Sequence, residues 1–335
     1  MADPKRVTLA TIAAETGVSV TTISKVLNGR GDVAAPTRAR VEAQLQRRGY
    51  ARRGTSRSDF IEVVLHRLDP NWSLEVIEGV REVAAEADLT ISLSVNGDRH
   101  APAAEWLTDV LRRRPAAVVL VFAGLPPAGR RKLRARGIPF VILDPSGDPA
   151  PGVPAIGSAN WHGGVLATRH LIDLGHRAIA AIAGPRDVMA AQARLDGFRS
   201  AMRSADLSVP AGRVRHGDFR ERTGERQGEA LLGADEPPTA IVAGSDLQAL
   251  GVIRAANRRG LEVPRDLSVV GYDDIPLAEL TSPPLTTIRQ PVRAMAEEAT
   301  RLVLRLRDGV PVDSTRLDLA TSLVVRGSTT APAPR

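Results

Sequence analysis

The sequence predicts an all-α N-terminal headpiece followed by an α/β domain of two lobes, each built on a parallel sheet. Three short helical patterns occupy residues 1–50, where apolar side chains recur at the i, i+3, i+4 spacing of a helix face. From residue 60 onward, apolar strands alternate with amphipathic helices, and this pattern starts again near residue 160. Such alternation is typical of parallel sheets with right-handed crossovers.

The helices of the headpiece are delimited by residues that begin or end helices. A turn containing Gly17 separates the first two, and Ser19 is suited to cap the second. The third is predicted over about 37–48. Apolar side chains at helical spacing predict their shared core: Leu9, Ile12, Ala13, Ile23, Val26, Leu27, Val41 and Leu45. Two helices joined by a short turn and braced by a third form a helix-turn-helix, whose second helix lies in the DNA major groove.

Charge separates this headpiece from the rest of the chain. Residues 1–58 hold eleven lysines and arginines and four aspartates and glutamates, a net charge of +7. The whole chain of 335 residues also carries +7, so residues 59–335 sum to zero. A short basic module on a neutral body is typical of a nucleic-acid reader. The charge argues against the alternatives, a three-helix bundle that binds nothing or binds a protein partner.

Residues 7–29 (VTLATIAAETGVSVTTISKVLNG) and 37–50 (TRARVEAQLQRRGY) resemble the headpiece of LacI-type bacterial transcription regulators. The resemblance implies that Val20 and Thr21 read bases, and Lys25 stands where the family usually has Arg. Polar residues at positions that contact phosphates or the groove edge are Thr22, Ser24 and Asn28. The predicted DNA-binding residues of the headpiece are Thr8, Ser19, Val20, Thr21, Thr22, Ser24, Lys25 and Asn28.

The linker, residues 51–59, departs from the family pattern. In most members it is longer and forms a hinge helix whose Leu wedges into the minor groove. This linker contains no Leu and is rich in Gly, Ser and Thr, which are poor helix formers. We therefore expect the operator to be bent less than in typical family members. Two interpretations stay open: a solvated linker, or an arm that binds phosphates or the minor groove through Arg52, Arg53 and Arg57.

The predicted domains are 1–50 for the headpiece, 51–59 for the linker and 60–329 for the two-lobed domain. We expect the first lobe over about 60–157 and the second over about 160–285, with C-terminal segments that cross between both. Strands are predicted over 60–68, 89–95, 116–122, 138–144, 177–184, 212–219, 239–246 and 267–274. A ligand of such a domain binds between the lobes, at the carboxyl ends of the strands.

Residues 171–185, 193–202, 240–274 and 285–291 resemble the sugar-type effector domain of the same family, which is related to periplasmic binding proteins. The resemblance implies that Arg194 grips ligand hydroxyls or a carboxylate, that Asp273 accepts from sugar hydroxyls and that Phe219 packs on the sugar face. The predicted effector-binding residues are Asp69, Trp72 and Ser73 on the first-strand loop, and Arg194, Phe219, Ser245, Asp246 and Asp273.

This set suits a sugar, because Arg and Asp form bidentate hydrogen bonds and an aromatic ring covers an apolar ring face. Other interpretations stay open at each position. Arg194 could be an exposed helix charge, and Asp273 could cap the following turn. Trp72 could cover a lobe edge, and Phe219 could belong to the core.

Several classes of function are excluded. The chain has no Cys and hence no disulfides, no apolar run of the ~18 residues that a membrane span needs, and no signal-peptide core. Motifs for nucleotide binding, nucleophilic catalysis and metal ligation are also absent. We therefore expect a cytoplasmic protein that is not an enzyme and has no cofactor, no metal and no membrane partner.

The expected function is sequence-specific repression of transcription, with control by a small-molecule effector, a sugar. The protein would act as a homodimer on a palindromic operator with half-sites about one helical turn apart. One alternative is a solute-binding protein of the sugar-capture type without a DNA role, which the basic first 58 residues oppose. Another alternative is a nucleotide-dependent enzyme.

Overall fold

The computed structural model describes residues 8–27, 32–48, 58–68, 72–96 and 102–333. Five residues of the predicted sites lie outside the described residues: Asn28, Arg52, Arg53, Arg57 and Asp69. The predicted fold class is confirmed, because three helices are followed by two lobes that each contain a mainly parallel sheet. The exact domain boundaries stay a prediction.

The headpiece helices are α1 (Leu9–Thr16), α2 (Val20–Leu27) and α3 (Ala35–Arg47). Thr8 caps α1, because its Oγ1 accepts a hydrogen bond from the Thr11 backbone N at 3.2 Å. Gly17 ends α1 at φ 65°, a left-handed conformation that a Cβ would oppose. The side chains buried between the three helices are Ile12, Val18, Ile23, Val26, Val33 and Val41.

Helix α3 begins two residues before the predicted position, at Ala35. Pro36 lies in its first turn, where a proline loses no helical hydrogen bond. Glu15 of α1 accepts hydrogen bonds from Gln44 and Arg48, which ties the first helix to the third. These bonds from Arg48 and Gln44 lower the pKa of the Glu15 carboxyl.

The first lobe contains one sheet, with strand order β11-β5-β4-β3-β1-β2 and all neighbours parallel. Its strands are β1 (Phe60–Leu65), β2 (Thr90–Val95), β3 (Ala117–Val121), β4 (Phe140–Leu143), β5 (Ala155–Ser158) and β11 (Arg316–Leu319). Its helices are α4 (Trp72–Glu86), α5 (Ala104–Arg113), α6 (Pro127–Ala135) and α12 (Val292–Arg307). One face of the sheet packs against α4 and α12, and the other against α5 and α6.

The second sheet has the order β12-β10-β9-β8-β6-β7 and is parallel except for β12, which pairs antiparallel with β10. The strands are β6 (Ile179–Ala183), β7 (Val214–His216), β8 (Ala240–Ala243), β9 (Ser268–Asp273), β10 (Thr286–Arg289) and β12 (Ser322–Val324). The helices are α7 (Asn160–Asp173), α8 (Met189–Ser204), α9 (Glu221–Leu232), α10 (Asp246–Arg258) and α11 (Pro276–Leu280).

Three chain segments cross between the lobes, after β5, after β10 and after β11. They are hydrogen-bonded to one another. Ser158 Oγ donates to Gln290 Oε1 at 2.8 Å, and the Ala159 backbone N donates to the Leu319 carbonyl at 2.8 Å. The crossings therefore form one connected hinge beside the ends of the strands.

Two expectations about local structure were wrong. Trp72 and Ser73 form the first turn of α4 rather than a loop, so β1 ends earlier than predicted. Strand β5 was not predicted at all, because its four residues contain Gly157 and lie directly before a helix. It pairs with β4 and β11 and so extends the first sheet.

Candidate functional site

A cavity of about 140 Å³ lies between the lobes, at the carboxyl ends of strands from both sheets. Six of the eight predicted effector-binding residues line it: Trp72, Ser73, Arg194, Phe219, Ser245 and Asp273. Asp144 and Gln290, which were not predicted, line it as well. We call this cavity the cleft.

Arg194 of α8 is the buried cation of the cleft, with 9% of its surface exposed. Its Nε donates to Asn160 Oδ1 at 2.8 Å, and its Nη1 donates to the Gly244 carbonyl at 2.7 Å. Nη1 also lies 3.6 Å from Asp273 Oδ1. Arg194 is therefore held in one orientation by the protein, and it is not the exposed helix charge that the sequence left open.

Two aromatic rings frame this guanidinium. Its Cζ lies 3.7 Å from the centroid of the Tyr272 ring and 5.6 Å from that of Phe219, both within cation–π range. Burial raises the pKa of Tyr272 to about 12, so this phenol stays neutral. Tyr272 was not among the predicted residues, although it lies in β9 directly before Asp273.

Phe219 is fixed at the cleft by two contacts. Its carbonyl accepts a hydrogen bond from Ser245 Oγ at 2.9 Å, and Ser245 in turn caps α10 by accepting from the Gln248 backbone N at 3.1 Å. The ring lies against Gly184, where a Cβ would come within 2.1 Å of Phe219 Cζ. Only glycine at position 184 leaves room for the ring in this position.

Asp273 connects the cleft to the hinge. Its Oδ1 accepts a hydrogen bond from Gln290 Nε2 at 2.6 Å, and Gln290 is also bonded to Ser158. Asp273 and Asp274 both have left-handed φ values, of 119° and 60°. Strained backbone of this kind clusters at ligand clamps and switch regions. A carboxylate that touches both cleft and hinge can respond to a ligand and to lobe closure together.

Asp246 requires a correction, because it does not line the cleft. Its carboxylate is fully buried and accepts hydrogen bonds from Thr287 Oγ1 and from the Ile275 backbone N, the latter at 2.8 Å. Burial and the nearby Asp273 charge raise the pKa of Asp246 well above its usual range. Its contacts support β10 and the loop after β9 rather than a ligand.

Asp144 is a further functional candidate that the sequence reasoning missed. It follows β4 with a φ of 48°, is only 5% exposed and lines the cleft. Within the described part of the chain, no group donates a hydrogen bond to its carboxylate. Burial raises the pKa of Asp144 to about 6, against the opposing effect of Arg194. The sequence signal that could have identified Asp144 is its position at the carboxyl end of the predicted fourth strand.

The second candidate surface is the outer face of α2. Val20 is 44% exposed, and Thr21 is also exposed beside it. Ser19 Oγ accepts from the Thr22 backbone N at 3.2 Å, which organises the first turn of α2. Lys25 Nζ lies 2.8 Å from Asp32. Because exposed ion pairs contribute little, this lysine can exchange its partner for a phosphate.

Both the headpiece and the two-lobed domain are similar to known proteins. A family model for bacterial regulatory proteins of the lacI family matches residues 8–53, and one for a periplasmic binding protein-like domain matches residues 168–329. The transcriptional regulator MalR of Streptomyces coelicolor is 37% identical over 343 aligned residues, which cover 98% of each chain. The chain belongs to the LacI family.

Solved structures of transcription regulators agree with this assignment. A CelR–cellobiose complex matches with a TM-score of 0.74 and 31% identity, over 96% of this chain and 100% of that one. The lac repressor dimer bound to its operator and an anti-inducer matches with a TM-score of 0.70 and 29% identity, over 98% and 100%.

Membership of the LacI family makes the protein a DNA-binding transcription regulator and not an enzyme. The alternative of a solute-binding protein without a DNA role is set aside, because the helix-turn-helix itself matches the family. Within the described ranges, no helix is long and apolar enough to cross a membrane.

Proposed function

We propose that this LacI-family regulator is a cytoplasmic repressor whose two headpieces, in a homodimer, bind a palindromic operator under the control of a sugar. The cleft carries the effector part of this proposal. There a fixed guanidinium, two carboxylates and an aromatic ring converge between lobes that are joined by a connected hinge. The groups are Arg194, Asp144, Asp273 and Phe219.

The composition of the cleft suits an uncharged sugar. Hydroxyls both donate and accept, so they can pair with the carboxylates and with Arg194, while the apolar ring face packs on Phe219. The cavity volume, about 140 Å³, is close to the ~150 Å³ of an engineered cavity that admits benzene, so the cleft admits a small molecule. The similar CelR was solved with cellobiose, which supports the sugar class.

The proposed DNA contacts follow from the outer face of α2. Val20 and Thr21 would reach base edges, while the polar side chains beside them and Lys25 would bind phosphates. Thr8 and Ser19 cap α1 and α2, whose N-termini attract phosphates. Closure of the lobes would move the hinge and hence the linkers, and couplings of this kind are typically about 1–3 kcal/mol.

A homodimer is supported by exposed apolar side chains on both lobes. Large exposed residues occur on α4, β2 and α11: Leu74, Leu93, Val95, Leu277 and Leu280. Glu75 of α4 and Glu279 of α11 line one groove, so these two helices are neighbours although they belong to different lobes. Exposed apolar patches of this kind mark interaction surfaces.

The DNA half of the proposal is tested with an operator selected from a random-sequence library. We expect Thr21→Ala to weaken binding and relax the base preference at one position, and Lys25→Ala to reduce the salt slope of binding by about one. Circular dichroism controls for folding of the headpiece. Full affinity of both variants in a gel-shift assay would contradict the assignment of α2 as recognition helix.

The effector half is tested by calorimetry with a panel of mono- and disaccharides. A sugar that binds saturably should also change operator affinity, in the direction of release for an induced repressor. Binding of sugars without any change in operator affinity would contradict control through the cleft.

A further inference from the structure

A second concave surface lies on the second lobe, outside the cleft, with a volume of about 450 Å³. Three arginines and one histidine converge on it from three chain segments. Arg186 comes from the loop before α8, Arg199 and Arg203 come from one face of α8, and His216 ends β7. No carboxylate is among its lining residues. We call it the cationic pocket.

The cationic pocket differs from the other arginine-rich flank of the same lobe. On α10, Arg254 and Arg258 each face a glutamate of α9, with Arg258 Nη1 2.6 Å from Glu225. In contrast, Arg186 and Arg203 have no ion pair with any described residue, and Arg199 pairs only with the exposed Asp196 at 3.3 Å. Arg186 and Arg203 therefore lack a compensating anion among the described residues, so binding of an anion beside them is favourable.

The lining also restricts the kind of anion. Arginine forks match the oxygen geometry of phosphate, and converging forks favour a compact group with two negative charges. The lining also includes the apolar side chains of Leu207, Val209 and Val214, which suit a ring or a hydrocarbon part. We propose that the cationic pocket binds a phosphorylated small molecule and that its occupancy alters the cleft. Only the coupling rests on the function proposed for the cleft.

Two chain segments connect the cationic pocket to the cleft. His216 Nδ1 lies 3.3 Å from the carbonyl of Gly184, the residue on which the Phe219 ring rests. Pro185 lines the cleft, and the next residue, Arg186, lines the cationic pocket. A bound anion attracts Arg186 and His216 toward each other. Because both residues adjoin Gly184 and Pro185, this movement displaces the segment that supports the Phe219 ring.

The same segment touches the first lobe. The Met189 backbone N donates to the Ser146 carbonyl at 2.9 Å, which is a contact between α8 and the loop after β4. Asp144 lies two residues before Ser146 in that loop. A displacement of residues 184–189 therefore reaches both walls of the cleft. By linkage, a change of sugar affinity caused by the anion requires an equal change of anion affinity caused by the sugar.

The site is tested with inorganic pyrophosphate, titrated into the full-length protein by calorimetry at constant ionic strength and without sugar. The variant Arg186→Ala/Arg203→Ala should bind at least tenfold more weakly than the original protein. The matched control is Arg222→Ala/Arg226→Ala, which removes two exposed arginines of α9 outside both sites and should bind as the original does. The basic headpiece is the same in the original protein and in both variants, so its attraction for polyanions does not distinguish them. Equal weakening in both variants, or binding that does not saturate, would overturn the site.

The coupling is tested by fluorescence of Trp72, which lines the cleft, in a chain that carries Trp106→Phe and Trp161→Phe. Pyrophosphate should change the emission in this background, and Arg186→Ala/Arg203→Ala should abolish the change. Saturable binding with unchanged emission would overturn the coupling. Because no sugar is used, this outcome is distinguishable from failure of the sugar assignment.

Discussion

The two lobes contribute to the cleft in different ways. In the second lobe, the polar groups are already bonded within the protein: Arg194 to Asn160 and Gly244, and Ser245 to Phe219. In the first lobe, Asp144 is buried with no hydrogen bond to its carboxylate from the described residues. The second lobe is thus a prepared surface, whereas the first holds a carboxylate that is available to pair with a ligand.

This difference suggests that the two lobes have different roles in ligand binding and in lobe closure. Preorganised groups lose little freedom when a ligand arrives, so the second lobe is suited to capture it. A buried carboxylate without a partner is costly, and a ligand that donates to it stabilises the closed arrangement. The family model for the binding domain matches residues 168–329, which lie outside most of the first lobe. The resemblance to the effector domain of the family likewise covered more of the second lobe than of the first.

The strongest test of this comparison is Arg194→Ala. We expect sugar affinity to fall roughly hundredfold or more, because hydrogen bonds from a charged donor contribute about 1.5–3 kcal/mol each. The substitution also leaves Asp273 without its cation at 3.6 Å, so we expect a loss of stability as well. Calorimetry measures the affinity, and thermal unfolding measures the loss of stability.

Two further variants help to interpret the result for Arg194→Ala. Arg194→Lys keeps the charge but lacks the planar fork, so it should restore little affinity. Arg222→Ala removes an exposed arginine outside the cleft and should leave both affinity and stability unchanged. Near-normal sugar binding by Arg194→Ala would show that the second lobe is not the capturing surface.

Gly184→Ala tests preorganisation without removing any polar group. The added Cβ would overlap the Phe219 ring, so the ring must leave the cleft. Since stacking on an aromatic ring contributes about 0.5–1.5 kcal/mol, we expect sugar affinity to fall about tenfold. Gly212→Ala is the matched control, because a Cβ there meets no atom within 4 Å. Equal affinities of these two variants would remove Phe219 from the list of ligand contacts.

The contribution of Asp144, in the first lobe, is tested by measuring sugar affinity as a function of pH. The pKa of Asp144 in the folded protein is about 6, above the ordinary 3.8, so its ionisation destabilises the ligand-free protein. This cost is absent below about pH 4, grows as the pH rises to about 6, and reaches roughly 3 kcal/mol above it. A sugar hydroxyl that donates to the ionised carboxylate offsets the cost. We therefore expect affinity to rise about tenfold between pH 5 and pH 8.

Asp144→Asn supplies the control for the pH series. The amide keeps the shape of the side chain but does not titrate, so the affinity of this variant should be nearly constant over the same range. Calorimetry in buffers of different ionisation enthalpy should also detect proton release on binding to the original protein only. A pH profile that persists in Asp144→Asn would assign the titration to another group.

The sequence predicted most of the fold because apolar strands and amphipathic helices carry a periodic signal. Strand β5 was missed since its four residues, with a glycine, give no such signal and acquire strand structure only by pairing with β4 and β11.

The cleft residues that lie in recognisable sequence motifs were predicted better than the others. Asp246 was misplaced because burial beside Thr287 is a tertiary property. Asp144 was missed because its lack of a partner appears only once both lobes are folded.

The smallest expected effect concerns Trp72, at the start of α4. It lines the cleft from the first lobe and also packs against the core of that lobe. Trp72→Phe keeps an aromatic ring and most of the packing but removes the indole N–H, so sugar affinity should fall about threefold or less. Calorimetry resolves such a change when unfolding temperatures match. A loss as large as that of Arg194→Ala would mean that both lobes capture the ligand equally, and the division between a prepared and a responding lobe would fail.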